Sequence, residues 1–314
     1  MLFALAAALL WFAGSPECRA QDTQRLPLPP AARAGLDLLY RGDPDAAIEQ
    51  FRRVQASEPN SPVGFLLEAD ALWWRIYCRS LEFKWNILDI WALKSSPETA
   101  AILAAADKAV ALAEEQLRGA ENGELNIYAG MGYLLRARVI GMLGDRRGTA
   151  RAGVKAREHF LRAKHLDPQL ADADTGLGLY NYYADALSTF TKVLRFFMGI
   201  PGGSKTEGVT QLIRAMSQGD MTAVEARFYL AKNLRLYDEQ YIRAAELMEP
   251  LAEQYPQNPI FALMVGNLNA LLDRKEKAAA SYRAAEAMAI PDPACRARVA
   301  HLSHEGLASL GLSQ

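Results

Sequence analysis

The chain has 314 residues, of which 51% are apolar and 23% charged, enough to bury a large core as one extended domain or two compact ones. Its 35 Lys and Arg are matched by 36 Asp and Glu. That balance leaves no electrostatic footprint for a nucleic acid or for an anionic membrane surface.

The apolar run Met1–Ala13 is shorter than the roughly 20 apolar residues a membrane-spanning helix needs. Cys18 and Ala20 then place small residues at the two positions a signal peptidase reads, ahead of polar Gln21 and Asp22. Residues 1–20 are therefore expected to be a cleaved secretory signal without the usual basic start, with a buried N-terminal helix as the alternative. Ser15, Pro16 and Glu17 before Cys18 do not fit a lipid-attachment motif. The mature chain is expected to be exported, periplasmic or otherwise extracytoplasmic, and not to span a membrane. Cys78 and Cys295 then remain; they could pair in an oxidising compartment, but two thiols so far apart make no disulfide framework and read as separate buried thiols.

Pro27, Pro29 and Pro30 mark residues 21–31 as a linker, and residues 32–314 read as a single helical domain. Two amphipathic runs flank the turn Gly42-Asp43-Pro44, with Ala47, Phe51 and Val54 at helical spacing before Pro59 stops the second. Residues 62–80 and the alanine-rich stretch 97–117 read as a second, divergent hairpin. A third covers Ile127 to Pro168, with Ala156, Phe160 and Ala163 on its second helix. Towards the C-terminus Gly266, Ala278, Tyr282, Ala285 and Pro291 repeat the first pattern, and Ala244 precedes Ala278 by 34 residues, with Pro256 as its stop. Pro250 falls inside a predicted helix, where a kink or early break is expected. Residues 293–311 supply a capping helix, and no alternating strand pattern occurs, so the chain reads as all-α.

The set Gly35, Ala47, Phe51 and Pro59 resembles the tetratricopeptide repeat, whose pattern is a small residue in the first helix, then small, aromatic and small residues in the second and Pro after it. The resemblance implies a right-handed α-solenoid of helix hairpins. Asp167-Pro168, Gly176 to Tyr183, Gly199 to Gly203, Glu207-Gly208 and Tyr255 to Pro259 further resemble the divergent repeat group of tetratricopeptide repeat protein 39 and its yeast inclusion-body clearance relative. A weaker likeness, resting on Pro201-Gly202-Gly203 and the helical repeats, is to the T-component of TRAP transport systems. These likenesses imply non-enzymatic helical-repeat proteins.

Three features bear on function. Four of the five tryptophans fall between Trp73 and Trp91, so Trp73, Trp74, Tyr77, Trp85 and Trp91 either fill the core or, with Tyr180, Tyr183 and Phe190 from the middle of the chain, line an apolar pocket. The middle itself, with Leu187, Phe190, Leu194 and Phe197 as an apolar stripe, reads as a long central helical insert crossing the inside of the superhelix. Lys205-Thr206 lacks the preceding strand and the final glycine of a phosphate loop and reads as the turn opening the next helix. Asn233 and Asn267 occupy the same place on successive repeats; the repeat resemblance puts that place on the concave groove, where an amide could bond an extended peptide, although basic neighbours are not evident.

His159, His165, His301 and His304 match no zinc spacing and read as surface groups, and no nucleophile elbow occurs. No cofactor is expected. The sequence thus points to an exported, non-enzymatic scaffold that binds a protein or peptide through a concave groove. The alternative is a carrier of a hydrophobic small molecule between the tryptophan block and the central tyrosines.

Overall fold

The computed structural model describes residues 26–81, 97–186 and 200–312, and among these every regular element is an α-helix. The signal-peptide reading, Trp85, Trp91, Phe190 and the apolar stripe from Leu187 to Phe197 lie outside the described residues. Thirteen helices are described: α1 (Pro30–Tyr40), α2 (Pro44–Ser57), α3 (Val63–Arg79), α4 (Pro97–Leu117), α5 (Gly123–Met142), α6 (Arg146–Leu166), α7 (Asp172–Ala186), α8 (Lys205–Gln218), α9 (Ala223–Tyr237), α10 (Tyr241–Gln254), α11 (Pro259–Leu271), α12 (Lys275–Glu286) and α13 (Pro293–Ser309). They pack as six successive antiparallel pairs with α13 against the last.

Local chemistry sets the ends of these helices. Asp43, Asn122, Asp145, Ser204, Asn258 and Asp292 each accept a backbone N–H of the first turn they precede. Within hairpins the chain reverses through a left-handed residue, glycine at Gly42 and Gly144 (φ +90° and +88°), but Glu239 and Asp273 (φ 52° and 55°) in the last two pairs. Pro250 does not break α10, which runs on to Gln254. Proline removes one N–H donor, while the buried stripe Ala244, Ala245, Met248 and Leu251 holds the helix on both sides of it.

The aromatic of each repeat pattern fills a space that glycine leaves open. A Cβ on Gly35 would lie 2.3 Å from the Phe51 ring. Phe160 is gripped by Gly130 of its own pair and Gly176 of the next, and Tyr282 likewise by Gly266 and Gly306. These three aromatic side chains are at most 1% exposed. Close approach at glycine therefore converts into burial of a large ring, the main source of packing free energy in each repeat.

The same kind of contact continues in the middle of the chain. There α7 packs on α8, and Gly176 does for Phe160 what the repeat pattern requires. Gly178 and Gly208 bring the two backbones together, a Cβ on Gly208 falling 2.7 Å from the Gly178 carbonyl oxygen. The central insert expected from the sequence falls on residues between these two helices that lie outside the described ones.

First helices α1, α3, α5 and α7 contact one another in order, as do α7 and α9, and form an inner layer; second helices lie outside. Accordingly α3 is buried on nearly all sides, whereas α6 buries the stripe Ala152, Ala156, Phe160 and Ala163. The stack also closes on itself, for α13 packs against α3. Cys78 and Cys295 form a disulfide across that junction, with Cα atoms 5.2 Å apart, so the expectation of two separate thiols is overturned. Arg79 bonds Asp292 (2.6 Å) and pairs with Glu98, and Arg298 reaches the Leu81 carbonyl. Nearby, Asn258 donates to the Tyr40 carbonyl at 2.9 Å and Arg33 pairs with Asp220 at 2.8 Å.

Candidate functional site

The inner layer carries a buried polar and aromatic cluster to which α3, α5, α7 and α9 all contribute. From α3 come Asp70, Trp73 and Tyr77; from α5, Arg138; from α7, Tyr183; and from α9, Glu225, Tyr229, Lys232 and Asn233. Buried ionisable groups are rare unless compensated, because removing a charge from water is costly. Here α3 and α9 supply three, Asp70, Glu225 and Lys232, and α5 adds the mostly buried Arg138.

Arg138 lies at the centre. Its guanidinium carbon stands 4.7 Å over the Tyr229 ring and 5.8 Å over Trp73. Its Nη1 is 3.7 Å from Glu225 Oε1 and 3.9 Å from Asp70 Oδ1, close enough for attraction but too long for hydrogen bonds. Both guanidinium Nη atoms, both Glu225 oxygens and Asp70 Oδ1 are buried without a hydrogen-bond partner. Burial works against the Arg138 charge, yet Tyr229, Glu225 and Asp70 together hold it above the ordinary arginine range. Asp70 is pushed well above the carboxylate range, first by burial and then by the neighbouring Glu225 charge, with Arg138 opposing.

Among the described residues Lys232 has no carboxylate partner. Its Nζ sits 5.2 Å over Tyr229 and 5.7 Å over Tyr77, and it is 3% exposed. Burial, with help from the Arg138 charge, pushes its amine down to about 7. The phenols around it are shifted the other way: Tyr77, Tyr183 and Tyr229 are all raised by burial and remain protonated.

The expected site residues divide into three groups. Trp73, Tyr77, Tyr183 and Asn233 come together: Trp73 Nε1 donates to the Tyr229 hydroxyl at 3.2 Å, and the Tyr183 hydroxyl donates to Asn233 Oδ1 at 3.0 Å. Asn233 Nδ2 is buried without a partner and the residue is fully enclosed, so it does not stand open to solvent. Asn267, one repeat on, is half-buried and accepts from Arg235 Nε at 2.6 Å. A basic group that the sequence did not make evident thus stands beside Asn267. Trp74 belongs to the core, in an aromatic cluster with Phe228 (5.1 Å), Tyr77 (5.9 Å), Phe261 (6.2 Å) and Tyr40 (6.3 Å). Tyr180 points elsewhere: its hydroxyl donates to the Pro201 carbonyl at 2.8 Å and Arg157 lies over its ring.

Sequence reasoning missed Asp70, Arg138, Glu225 and Lys232. A usable signal existed, since each charge stands on a first helix between residues that the hairpin pattern buries, as in Leu230-Ala231-Lys232-Asn233-Leu234. The charges also make the interior unsuited to a wholly hydrophobic guest. Lys205 shows no phosphate-loop geometry: Ser204 caps α8 and the Lys205 amine pairs with Asp238. His159 is less exposed than expected, stacked on Tyr133 at 5.6 Å with Nδ1 2.9 Å from Asn126 Oδ1. Among the described residues no cluster of His, Cys, Asp and Glu could hold a metal ion, and no helix is long and apolar enough to cross a membrane.

No family model matches the chain, and no curated protein does. Among solved structures the chain is similar to yeast Tom70, at 12% identity and a TM-score of 0.29, covering 88% of each chain. It is also similar to the TPR domain of P58(IPK), at 12% identity and a TM-score of 0.26, covering 88% of this chain and 97% of that one. The helical-repeat architecture stands on the hairpins and their glycine–aromatic contacts.

Proposed function

We propose that the chain is an exported, non-enzymatic helical-repeat scaffold for a protein partner, and that it recognises an extended segment of that partner on the inner layer. The observation that supports this reading is the half-buried amide of Asn267 on the first helix of the sixth pair, one repeat on from the enclosed Asn233, with the Arg235 guanidinium beside it. A partly open amide of this kind suits a peptide backbone, which offers a carbonyl acceptor at each residue. The Cys78–Cys295 disulfide supports export, because such bonds persist in oxidising compartments. The motif likeness to the tetratricopeptide repeat protein 39 group fits a non-enzymatic role.

The test is site-specific photocrosslinking in the native envelope. A photoreactive residue at Asn267 should trap one protein reproducibly, and Arg235→Ala, at the half-buried guanidinium beside Asn267, should weaken that adduct while leaving the helical content unchanged. An unchanged adduct in the variant, or no adduct, would sink the reading. Retention of the intact first 20 residues in the purified protein would remove its export component.

A further inference from the structure

We infer that the exposed face of α6 is a docking surface for an anionic phospholipid bilayer. The inference stands apart from the protein-partner reading, which uses the inner layer, whereas α6 lies in the outer one. Balance over the whole chain hides a local surplus: the 21 residues of α6 carry seven Lys and Arg against Glu158 alone. Only part of that charge is matched. Lys155 pairs with Glu158 at 3.0 Å, Arg162 with Glu121 from the α4–α5 connection at 3.2 Å, and Lys164 with Asp174 at 2.9 Å. Arg146, Arg147 and Arg151 are exposed and make no ion pair among the described residues. Asp145 beside them is engaged as the helix cap, accepting the Gly148 N–H at 2.8 Å.

The placement of these cations runs against what the helix itself prefers. Arg147, Arg151 and Lys155 follow one another at four-residue spacing, and Arg162 returns to the same side seven residues on, so all four form one exposed row. Like charges at that spacing repel. Arg146 and Arg147 also occupy the first turn, where the helix dipole favours acids, and that turn holds no acidic residue. A row that the helix disfavours, and that the protein leaves unmatched at its N-terminal end, finds its counter-charge in an anionic surface outside the molecule. Apolar side chains accompany it: Leu143, in the turn before α6, is 45% exposed, and Leu161 and Leu166 are 41% and 38% exposed. At 3.6 residues per turn Leu161 and Leu166 fall on either side of Arg162. Cations interleaved with apolar side chains suit anionic headgroups and the acyl boundary beneath them. Shape selects the bilayer over an acidic peptide. The row projects outward from the outer layer, where a flat headgroup layer meets its full length, about 22 Å from Arg147 to Arg162, while a peptide would be held along one side only.

The test is co-sedimentation of the full chain with vesicles of phosphatidylglycerol and phosphatidylcholine in equal parts, compared with vesicles of phosphatidylcholine alone. Binding to the anionic vesicles is expected to be at least about tenfold the stronger, and to fall at least about tenfold as salt rises from about 0.05 M to about 0.5 M. Arg147→Glu combined with Arg151→Glu should lower it by at least about tenfold. Should that variant not fold, Arg151→Gln, which keeps a polar side chain of similar reach, should still lower it about threefold. Lys277→Glu combined with Arg283→Glu makes the same change of net charge at exposed positions of α12 and should leave binding unchanged. No binding to the anionic vesicles, equal binding to both kinds, or an equal loss in the α6 and α12 variants would overturn the inference. Tighter capture by polyglutamate or by duplex DNA than by the vesicles would overturn it in favour of an acidic protein or a nucleic acid.

Discussion

Cys78 and Cys295 are separated by 217 positions in sequence, yet their Cα atoms lie 5.2 Å apart and their sulfurs are bonded. A cross-link over so long a loop restricts the unfolded chain strongly, with an expected stabilisation of about 2–5 kcal/mol. Replacing both cysteines by serine should lower the stability in urea by that amount, and adding a reductant to the wild type should do the same. A loss within the error of the extrapolation would show that the junction of α3 and α13 holds without it.

Phe160 and Gly176 form the tightest of the ring-to-glycine contacts, a Cβ at Gly176 falling 1.9 Å from the Phe160 ring. Alanine gains up to about 1 kcal/mol over glycine in a helix, whereas overpacking costs about 1–3 kcal/mol. The clash should win, so Gly176→Ala is expected to destabilise in spite of its better propensity. Phe160→Ala should cost about 3–5 kcal/mol. Thermal and denaturant unfolding of the two variants checks both signs.

Asp172 ties the fourth hairpin to the fifth. Its carboxylate accepts the N–H groups of Asp220, Met221 and Thr222 and the Thr222 hydroxyl, at 2.8 to 3.0 Å. Asp172→Ala would leave those donors buried and unpaired, with an expected loss of about 2–4 kcal/mol. Asp172→Asn keeps one acceptor oxygen and should lose less. Hydrogen exchange at Met221 and Thr222 should rise in both.

Lys232 should leave a signature in the pH dependence of stability. Burial pushes the folded-state amine down to about 7 from its ordinary 10.5, so between these values the unfolded chain binds the extra proton and stability rises with pH. Below about 7 the cost of charging the buried amine is fully present, and above 10.5 it vanishes. Tyrosines raised by burial work oppositely above about pH 10, so the clean window is about pH 7 to 9.5. Lys232→Met should flatten the curve there, and an unaltered slope would show the amine to be solvated.

Trp74→Ala tests the division between core and site. Because Trp74 packs among Tyr40, Tyr77, Phe228 and Phe261, its loss should cost about 3–5 kcal/mol of stability. Retained stability would instead show that the indole contributes little to the core.

The hairpins were legible in the sequence because they are local. Gly35 with Phe51, and Gly266 with Tyr282, sit on neighbouring helices whose spacing and turn residues are encoded within one repeat. The polar interior was not, since Asp70, Arg138 and Glu225 come from three hairpins and read singly as ordinary helix charges. Whether they meet depends on how each pair rotates onto the next, a sum of small angles that no short motif carries. The same holds for Cys78 and Cys295, whose pairing follows from where the stack ends after six hairpins. In the middle of the chain the use of Gly176 becomes visible only with Phe160 of the preceding hairpin against it.

Helical-repeat proteins ordinarily tolerate gain or loss of a unit, since each repeat touches only its neighbours. Here Asn258 holds the Tyr40 carbonyl, Arg33 holds Asp220 and a disulfide joins α3 to α13, so first and last units are neighbours too. The number of repeats has become a property of the whole molecule. Deleting one hairpin would shorten the circuit and pull apart contacts at its far side, so this chain should lengthen or shorten only by changes that keep its closure.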